Sequence, residues 1–269
     1  MGFFSWLFKK KTPKKIKLGL ALGSGGAKGF AHLGALKAFE ENGVEFDIFS
    51  GTSIGSIIGA FVAEGYSSTD IFELLKGIDF SEITSPLMIK MDTSGMFNVI
   101  NREIGYLNFE EMKKPFRCVA TELETGKEKV FSTGSVASAV CASSCIPPFF
   151  KPVVIDGVRY IDGAFTNSVP ADQVKEMGAD YIVGIDLSTR EQKPSILTKI
   201  FPTYKSDIKE PWAKGYSVSD VMLHPDLNKY SSVAINSGAD MYEIGYNTAM
   251  EKMPQILSDI SNLTSKKKK

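Results

Sequence analysis

A glycine-flanked serine, Gly51-Thr52-Ser53-Ile54-Gly55, stands between an apolar segment and a stretch with helical periodicity. The apolar segment, residues 46–50, predicts a strand, and residues 54–64 predict a helix. A strand that turns sharply into a helix at G-x-S-x-G is the context of a nucleophile elbow, which lifts the serine oxygen out of the backbone. Glycines suit so tight a turn, where a side chain has little room. The motif therefore predicts a strand–turn–helix unit and makes Ser53 a candidate nucleophile.

A second glycine-rich turn, Gly23-Ser24-Gly25-Gly26-Ala27-Lys28-Gly29, lies between a strand-like run over residues 16–22 and a helix-like run. Such a turn presents backbone N–H groups to an anion. Two anions fit it: a bound phosphate, and the oxyanion that forms when a serine attacks a carbonyl. The spacing disfavours a nucleotide site. Lys28 stands where the dinucleotide fingerprint needs its third glycine, and the Gly-Lys-Ser/Thr of a phosphate loop is absent.

A serine nucleophile needs a base, and the chain contains only two histidines. His32 falls among apolar residues of a predicted helix and is interpreted as a packed side chain, whereas His224 lies in an irregular stretch. Two Asp-Gly pairs are the alternatives. Asp156 is explained by a two-residue hairpin turn between two short strands. Asp162 ends the second of these strands and opens a loop, where burial would raise its basicity, so it is the predicted base.

In combination, these motifs resemble the patatin-like phospholipase family. Their order and spacing hold over residues 16–190, and two further segments reinforce the resemblance. The run Ala142-Ser143-Ser144-Cys145-Ile146-Pro147 is similar to the family's Ala-Ser-x-x-Ile-Pro segment, and Asn167-Ser168-Val169-Pro170 is similar to its Asn-x-x-Pro stretch. The resemblance implies an α/β fold of three layers, in which a mainly parallel central sheet is flanked by helices in a modified α/β-hydrolase arrangement.

The resemblance also implies a role for each candidate site residue. Carried over by position, Ser53 is the nucleophile and Asp162 the general base of a catalytic dyad. The oxyanion would be held by backbone N–H groups of the glycine-rich turn: Gly25, Gly26 and Ala27. Lys28 stands where the family usually carries Arg and is the candidate contact for a substrate head group, as a point charge instead of a bidentate fork. Such a dyad needs no metal and no cofactor.

Three functions remain open at this level. The first is a serine lipid acyl hydrolase, like a phospholipase A or a lysophospholipase, that cleaves acyl esters through an acyl-enzyme at a membrane surface. The second is a soluble carboxylesterase or acyl-thioesterase that uses the same dyad. The third is a non-catalytic, membrane-associated adaptor, which has no chemical need for an intact serine, aspartate and glycine loop.

The placement of charge says more than the net charge, which is zero. Lysines crowd residues 9–17 and close the chain at 266–269, and large apolar side chains fill residues 3–8. Residues 1–17 are therefore interpreted as an anchor for an anionic membrane surface. Nucleic acid is not an expected partner, because no aromatic-studded basic face accompanies these lysines. The three cysteines are too few for a disulfide framework and indicate a cytoplasmic protein, which the anchor would make peripheral at the inner face of the cell membrane.

A chain of 269 residues suits one domain with a substantial core. The predicted organisation has three parts: a basic-aromatic segment over 1–15, a hydrolase domain over 16–260, and a lysine-rich tail over 261–269.

Three further predictions concern less regular parts of this domain. Residues 67–112 are predicted to contribute a lid or acyl-binding wall, with an apolar surface formed by Met88, Met91, Met96 and Phe97. Residues 188–225 are polar and interrupted by prolines, and they are predicted to form a long surface excursion. Residues 238–257 are predicted to form a closing helix.

Overall fold

The computed structural model describes residues 15–77, 92–189 and 208–267. Within this part of the chain, eight strands form one sheet. Their bounds are β1 Leu18–Leu22, β2 Ile48–Thr52, β3 Phe116–Glu122, β4 Glu128–Phe131, β5 Val153–Ile155, β6 Val158–Asp162, β7 Tyr181–Ile185 and β8 Val221–Leu223. Their order across the sheet is β5-β6-β3-β2-β1-β7-β8, and β4 also pairs with β3.

The centre of the sheet is parallel and one margin is antiparallel. Strands β3, β2, β1, β7 and β8 run parallel to one another, whereas β4 and β6 pair antiparallel with β3 and β5 pairs antiparallel with β6. Every residue of β1, β2 and β7 is buried. Continuous burial is expected of parallel strands that are covered on both faces, and it explains why these segments read as apolar runs.

Helices cover both faces of this sheet. Their bounds are α1 Phe30–Glu41, α2 Ile54–Ala63, α3 Ser68–Lys76, α4 Ser94–Ile104, α5 Val136–Ser143, α6 Ala171–Glu176, α7 Ala213–Val218 and α8 Gly238–Lys267. From β1, Leu20 and Leu22 enter the larger core with α1, α2, α5 and α8, whereas Ala21 enters a smaller core with α6 and α7. The predicted three-layer α/β fold is confirmed.

Two sequence predictions about elements are corrected by the structure. The described part of residues 188–225 is not wholly a surface excursion, because it contains α7 and the edge strand β8, which pairs in parallel with β7 and buries Val221 and Leu223. The closing helix continues to Lys267, so the predicted tail over 261–269 begins inside α8. An ion pair between Lys267 and Asp180, at 2.7 Å, ties the end of this helix to the body of the domain.

Some predictions fall on residues outside the described ranges. These include residues 1–14 of the basic-aromatic segment predicted over 1–15, and Met88 and Met91 of the proposed lid or acyl-binding wall. The other two members of that apolar group, Met96 and Phe97, lie in α4 and are partly buried against the larger core. Among the described residues, no helix is both long enough and apolar enough to cross a membrane.

Candidate active site

Ser53 stands at the junction of β2 and α2. Its backbone has φ 56° and ψ −127°, a conformation that L-residues rarely adopt, so the strand turns abruptly into the helix at the serine. The flanking glycines allow this turn. A Cβ atom at Gly55 would overlap the carbonyl oxygen of Leu22, and one at Gly51 would overlap that of Gly55. The predicted elbow is therefore present, and its two glycines are required because a Cβ atom at either position would overlap a backbone carbonyl oxygen.

The register of the sheet brings Asp162 to the same place. Strand β2 runs parallel to β3 and pairs Thr52 with Val119. Strand β6 runs antiparallel to β3 and pairs Asp162 with Ala120. The carboxyl ends of β2 and β6 thus lie at adjacent positions of β3. Ser53, which follows β2, and Asp162, which ends β6, are therefore close together.

Ser53 and Asp162 are in direct contact. The Ser53 hydroxyl donates to Oδ2 of Asp162 at 2.5 Å, and the Ala164 N–H donates to Oδ1 at 2.8 Å. Asp162 is fully buried and Ser53 is 9% exposed. Burial raises the pKa of Asp162 to about 6, while the hydrogen bonds from Ser53 and Ala164 act in the opposite direction. A carboxylate of this basicity is ionised at neutral pH and accepts a proton more readily than an ordinary aspartate.

Both histidines are hydrogen-bonded elsewhere. Nε2 of the fully buried His32 meets the Gly23 carbonyl at 2.8 Å, and burial lowers the pKa of His32 to about 4. Nδ1 of His224 lies 3.1 Å from the carbonyl oxygen and 3.4 Å from the carboxylate of Asp186. The interpretation of His32 as a packed residue is confirmed. Neither imidazole is a hydrogen-bond partner of Ser53.

The rival aspartate, Asp156, occupies the turn that joins β5 to β6. It is exposed, and both it and Gly157 have positive φ, as a two-residue hairpin turn requires. Local turn chemistry is therefore sufficient to explain Asp156, and that prediction is confirmed.

The glycine-rich turn lies between β1 and α1. Ala27, one of the three predicted oxyanion donors, already gives its N–H to the Ser232 carbonyl at 2.7 Å. This differs from the sequence prediction and leaves two amides, those of Gly25 and Gly26, without an acceptor among the described residues. Lys28 follows them in a short 3₁₀ turn and is only 5% exposed, so its side chain does not form a freely solvated charge.

One polar contact of the elbow was not predicted. The backbone N–H of Ser53 donates to the hydroxyl of Ser143 at 2.9 Å, and that hydroxyl donates to the Val119 carbonyl at 2.6 Å. The sequence placed Ser143 in a segment similar to the family's Ala-Ser-x-x-Ile-Pro run but assigned it no role. No local pattern could have done so, because residues 53 and 143 meet only through tertiary packing.

Among the described residues, no group of three or more His, Cys, Asp or Glu side chains could hold a metal ion. The three cysteines, Cys118, Cys141 and Cys145, are buried free thiols. Burial raises the pKa of both Cys141 and Cys145 to about 12, so they pack as small apolar residues.

Comparisons with known proteins agree with this fold. A family model described as patatin-like phospholipase matches residues 20–175. The chain is 33% identical to human patatin-like phospholipase domain-containing protein 6 over 202 residues. This alignment covers 70% of the chain and 14% of the human protein. It is 25% identical to neuropathy target esterase sws of Drosophila melanogaster over 285 aligned residues. This alignment covers 90% of the chain and 20% of the Drosophila protein.

A solved structure shares the architecture. The crystal structure of VipD from Legionella pneumophila superposes with a TM-score of 0.58 at 16% identity, covering 91% of this chain and 67% of VipD. With the family match over residues 20–175, the chain belongs to the patatin-like phospholipase family. It spans only about 15% of the length of the first curated relatives.

Proposed function

We propose that this protein is a serine lipid acyl hydrolase that works through Ser53 and Asp162. The observation that carries the proposal is the 2.5 Å hydrogen bond from the Ser53 hydroxyl to a buried carboxylate whose pKa is raised to about 6. An activated nucleophile is recognised by a base within hydrogen-bond reach, and this pair meets that criterion with no histidine involved.

The reaction proceeds in two acyl transfers. In the first, Asp162 takes the hydroxyl proton while the Ser53 oxygen attacks the ester carbonyl carbon. The tetrahedral oxyanion is held by the N–H groups of Gly25 and Gly26, and the departing alcohol takes the proton from Asp162. In the second, Asp162 accepts a proton from water as the water oxygen attacks the acyl-enzyme carbonyl carbon. Asp162 then gives that proton to the departing Ser53 oxygen, which releases the fatty acid and restores the Ser53 hydroxyl. Removing one oxyanion donor typically costs roughly 2–4 kcal/mol of barrier.

Relatives indicate the substrate class to test first. Curated relatives include proteins named lysophospholipase NTE1 of Meyerozyma guilliermondii and lysophospholipase nte1 of Aspergillus fumigatus. We therefore propose lysophospholipids or similar single-chain acyl esters as substrates of this chain. Lys28 is proposed as a contact for a head group that enters the site. Peripheral association with an anionic membrane through residues 1–17 is proposed from the sequence, because apolar side chains over residues 3–8 precede a cluster of lysines.

Covalent labelling combined with hydrolysis tests the activity. A lipid-like fluorophosphonate should add once to the wild-type protein, as read by intact mass, and Ser53→Ala should lose both the adduct and turnover while it remains folded. Ser217→Ala, at an exposed serine of α7 whose hydroxyl donates to the Lys214 carbonyl, is the control and should behave as wild type. A Ser53→Ala protein with near-wild-type turnover, free of contaminating esterase, would refute the assignment of the nucleophile.

Two substitutions discriminate the base. Asp162→Asn should be nearly as damaging as Ser53→Ala, whereas His224→Ala should retain activity because its imidazole is bonded to Asp186. The reverse pattern would replace the dyad by a Ser–His mechanism.

The alternative is an esterase or thioesterase that acts on dissolved acyl groups. A graded series of acyl esters, assayed with and without anionic vesicles, separates the two. Long-chain preference with vesicle activation supports a lipid hydrolase, whereas short-chain preference without activation supports the alternative. Deleting residues 1–12 should weaken co-sedimentation with anionic vesicles; unchanged binding would rule out the anchor.

A further inference from the structure

The Ser143 hydroxyl joins the nucleophile to the strand that pairs with the base. Ser143 is the last residue of α5 and is fully buried. A backbone N–H can only donate and a carbonyl can only accept, so the directions of its two hydrogen bonds are determined. Its oxygen accepts from the Ser53 N–H at 2.9 Å, and its proton goes to the Val119 carbonyl at 2.6 Å. A single hydroxyl therefore satisfies two buried backbone groups.

This link acts where the backbone is least relaxed. Ser53 is in a positive-φ conformation, so the conformational strain of its backbone must be offset by contacts that hold the residue in place. Its carbonyl oxygen accepts the Ser56 hydroxyl at 2.7 Å, and its N–H is held by Ser143. Among the described residues, Ser143 is the side chain from outside the β2–α2 segment that binds the backbone of Ser53.

The other end of the link is equally specific. Val119 pairs with Thr52 and directly precedes Ala120, which pairs with Asp162. Ser143 thus connects the nucleophile's own amide to the position of β3 between the ends of β2 and β6. A change in this link would alter the distance and angle between the Ser53 hydroxyl and the Asp162 carboxylate.

We propose that Ser143 is a positioning residue of the hydrolase, one that sets the backbone of Ser53 so that its hydroxyl stays aligned with Asp162. The inference rests on the proposed function, because it assumes that Ser53 is the nucleophile. It also assigns the N–H of Ser53 a structural use, which leaves oxyanion binding to the glycine-rich turn.

The chain provides a matched control in the next residue. Ser144 is also buried, at 8% exposure, but its hydroxyl has no hydrogen-bond partner among the described residues. Ser143→Ala removes a hydroxyl with two partners, and Ser144→Ala removes one with none. The two substitutions delete the same atom from adjacent buried positions, and the main difference between them is the pair of hydrogen bonds that the Ser143 hydroxyl makes.

The rate of fluorophosphonate labelling at Ser53 is the readout, measured well below the melting temperature of each variant. Ser143→Ala should label on the order of 100-fold more slowly, because small displacements of reacting groups carry penalties of that size. Its kcat for an acyl ester should fall in proportion, with KM little changed. Ser144→Ala should label and turn over within about twofold of wild type, since no contact is lost.

A conservative variant separates positioning from support of the fold. Ser143→Cys keeps a weak donor and acceptor at the same place, so its labelling rate should lie between those of wild type and Ser143→Ala. If Ser143→Ala does not fold, the labelling rate of Ser143→Cys still tests the positioning role. Labelling of folded Ser143→Ala or Ser143→Cys at the wild-type rate would refute the positioning role. Failure of the wild-type protein to label would instead refute the proposed function, so the two failures are distinguishable.

Discussion

Replacing Asp162 by Asn should abolish catalysis and, at neutral pH, make the protein more stable. The amide removes the charge but preserves the shape of the side chain. Its oxygen still accepts the Ala164 N–H, and its NH₂ group faces the Ser53 oxygen, which can accept a hydrogen bond in place of donating one. The variant therefore has no base, yet the polar groups around it keep their partners.

The magnitude follows from the pKa of Asp162. Burial raises that pKa from 3.8 to about 6, so the folded protein binds the proton more tightly than the unfolded chain. Stability that depends on this proton is present at low pH and is lost as the pH rises from about 4 through about 6. A shift of about two pKa units corresponds to about 3 kcal/mol, the penalty that the wild-type protein carries near pH 7. The Asn variant does not carry it.

Urea unfolding at several pH values measures this effect. The free energy of unfolding of Asp162→Asn minus that of wild type should increase by about 2–3 kcal/mol between about pH 4 and pH 7. Effects of the substitution on the free energy of unfolding that are the same at every pH do not contribute to this change. Asp156→Asn, in the exposed hairpin turn, is the matched control for catalysis and should leave activity normal. A pH-independent difference for Asp162→Asn would refute the argument that burial of this carboxylate sets its basicity.

Two further predictions concern the rate of hydrolysis. The wild-type kcat/KM should increase with pH through about 6 and then level, because Asp162 must be ionised to accept the Ser53 proton; a pH–rate profile checks this, and a rate that is flat below pH 6 would contradict it. Gly26→Ala should lower kcat by on the order of 100-fold, because the new Cβ would overlap the Ser232 carbonyl and displace an oxyanion donor. Gly43→Ala has a similar positive φ and open space around it, so it should cost about 1 kcal/mol of stability and leave kcat unchanged; equal kcat values for the two variants would exclude the oxyanion role.

Elements with a strong local signal were predicted correctly. The elbow at Ser53 is one strand, one turn and one helix, and glycine spacing is enough to identify it. The choice between Asp156 and Asp162 also depended on local chemistry, because an Asp-Gly pair between two short strands specifies a hairpin turn.

Elements that depend on distant partners were missed. Helix α7 has six residues and strand β8 has three, which is too short for periodicity to be read. Strand β8 exists because β7 pairs with it. The end of α8 was placed too early because its lysines and serines resemble a solvated tail. Contacts from the start of β7 and from the residue before it support the last turns of α8. The Tyr181 hydroxyl donates a hydrogen bond to Asp259, and Asp180 forms an ion pair with Lys267.

The sequence by itself determined which groups are candidates for the proposed chemistry: a serine on a glycine-flanked turn, a loop of backbone amides, and an aspartate at a strand end. It could not determine how close they come. Residues 53 and 162 are 109 positions apart, and their 2.5 Å contact arises because β2 and β6 end at adjacent positions of β3. The same packing brings Ser143 to the nucleophile and occupies the Ala27 amide with Ser232. Burial, which makes Asp162 basic, is likewise a property of the assembled layers.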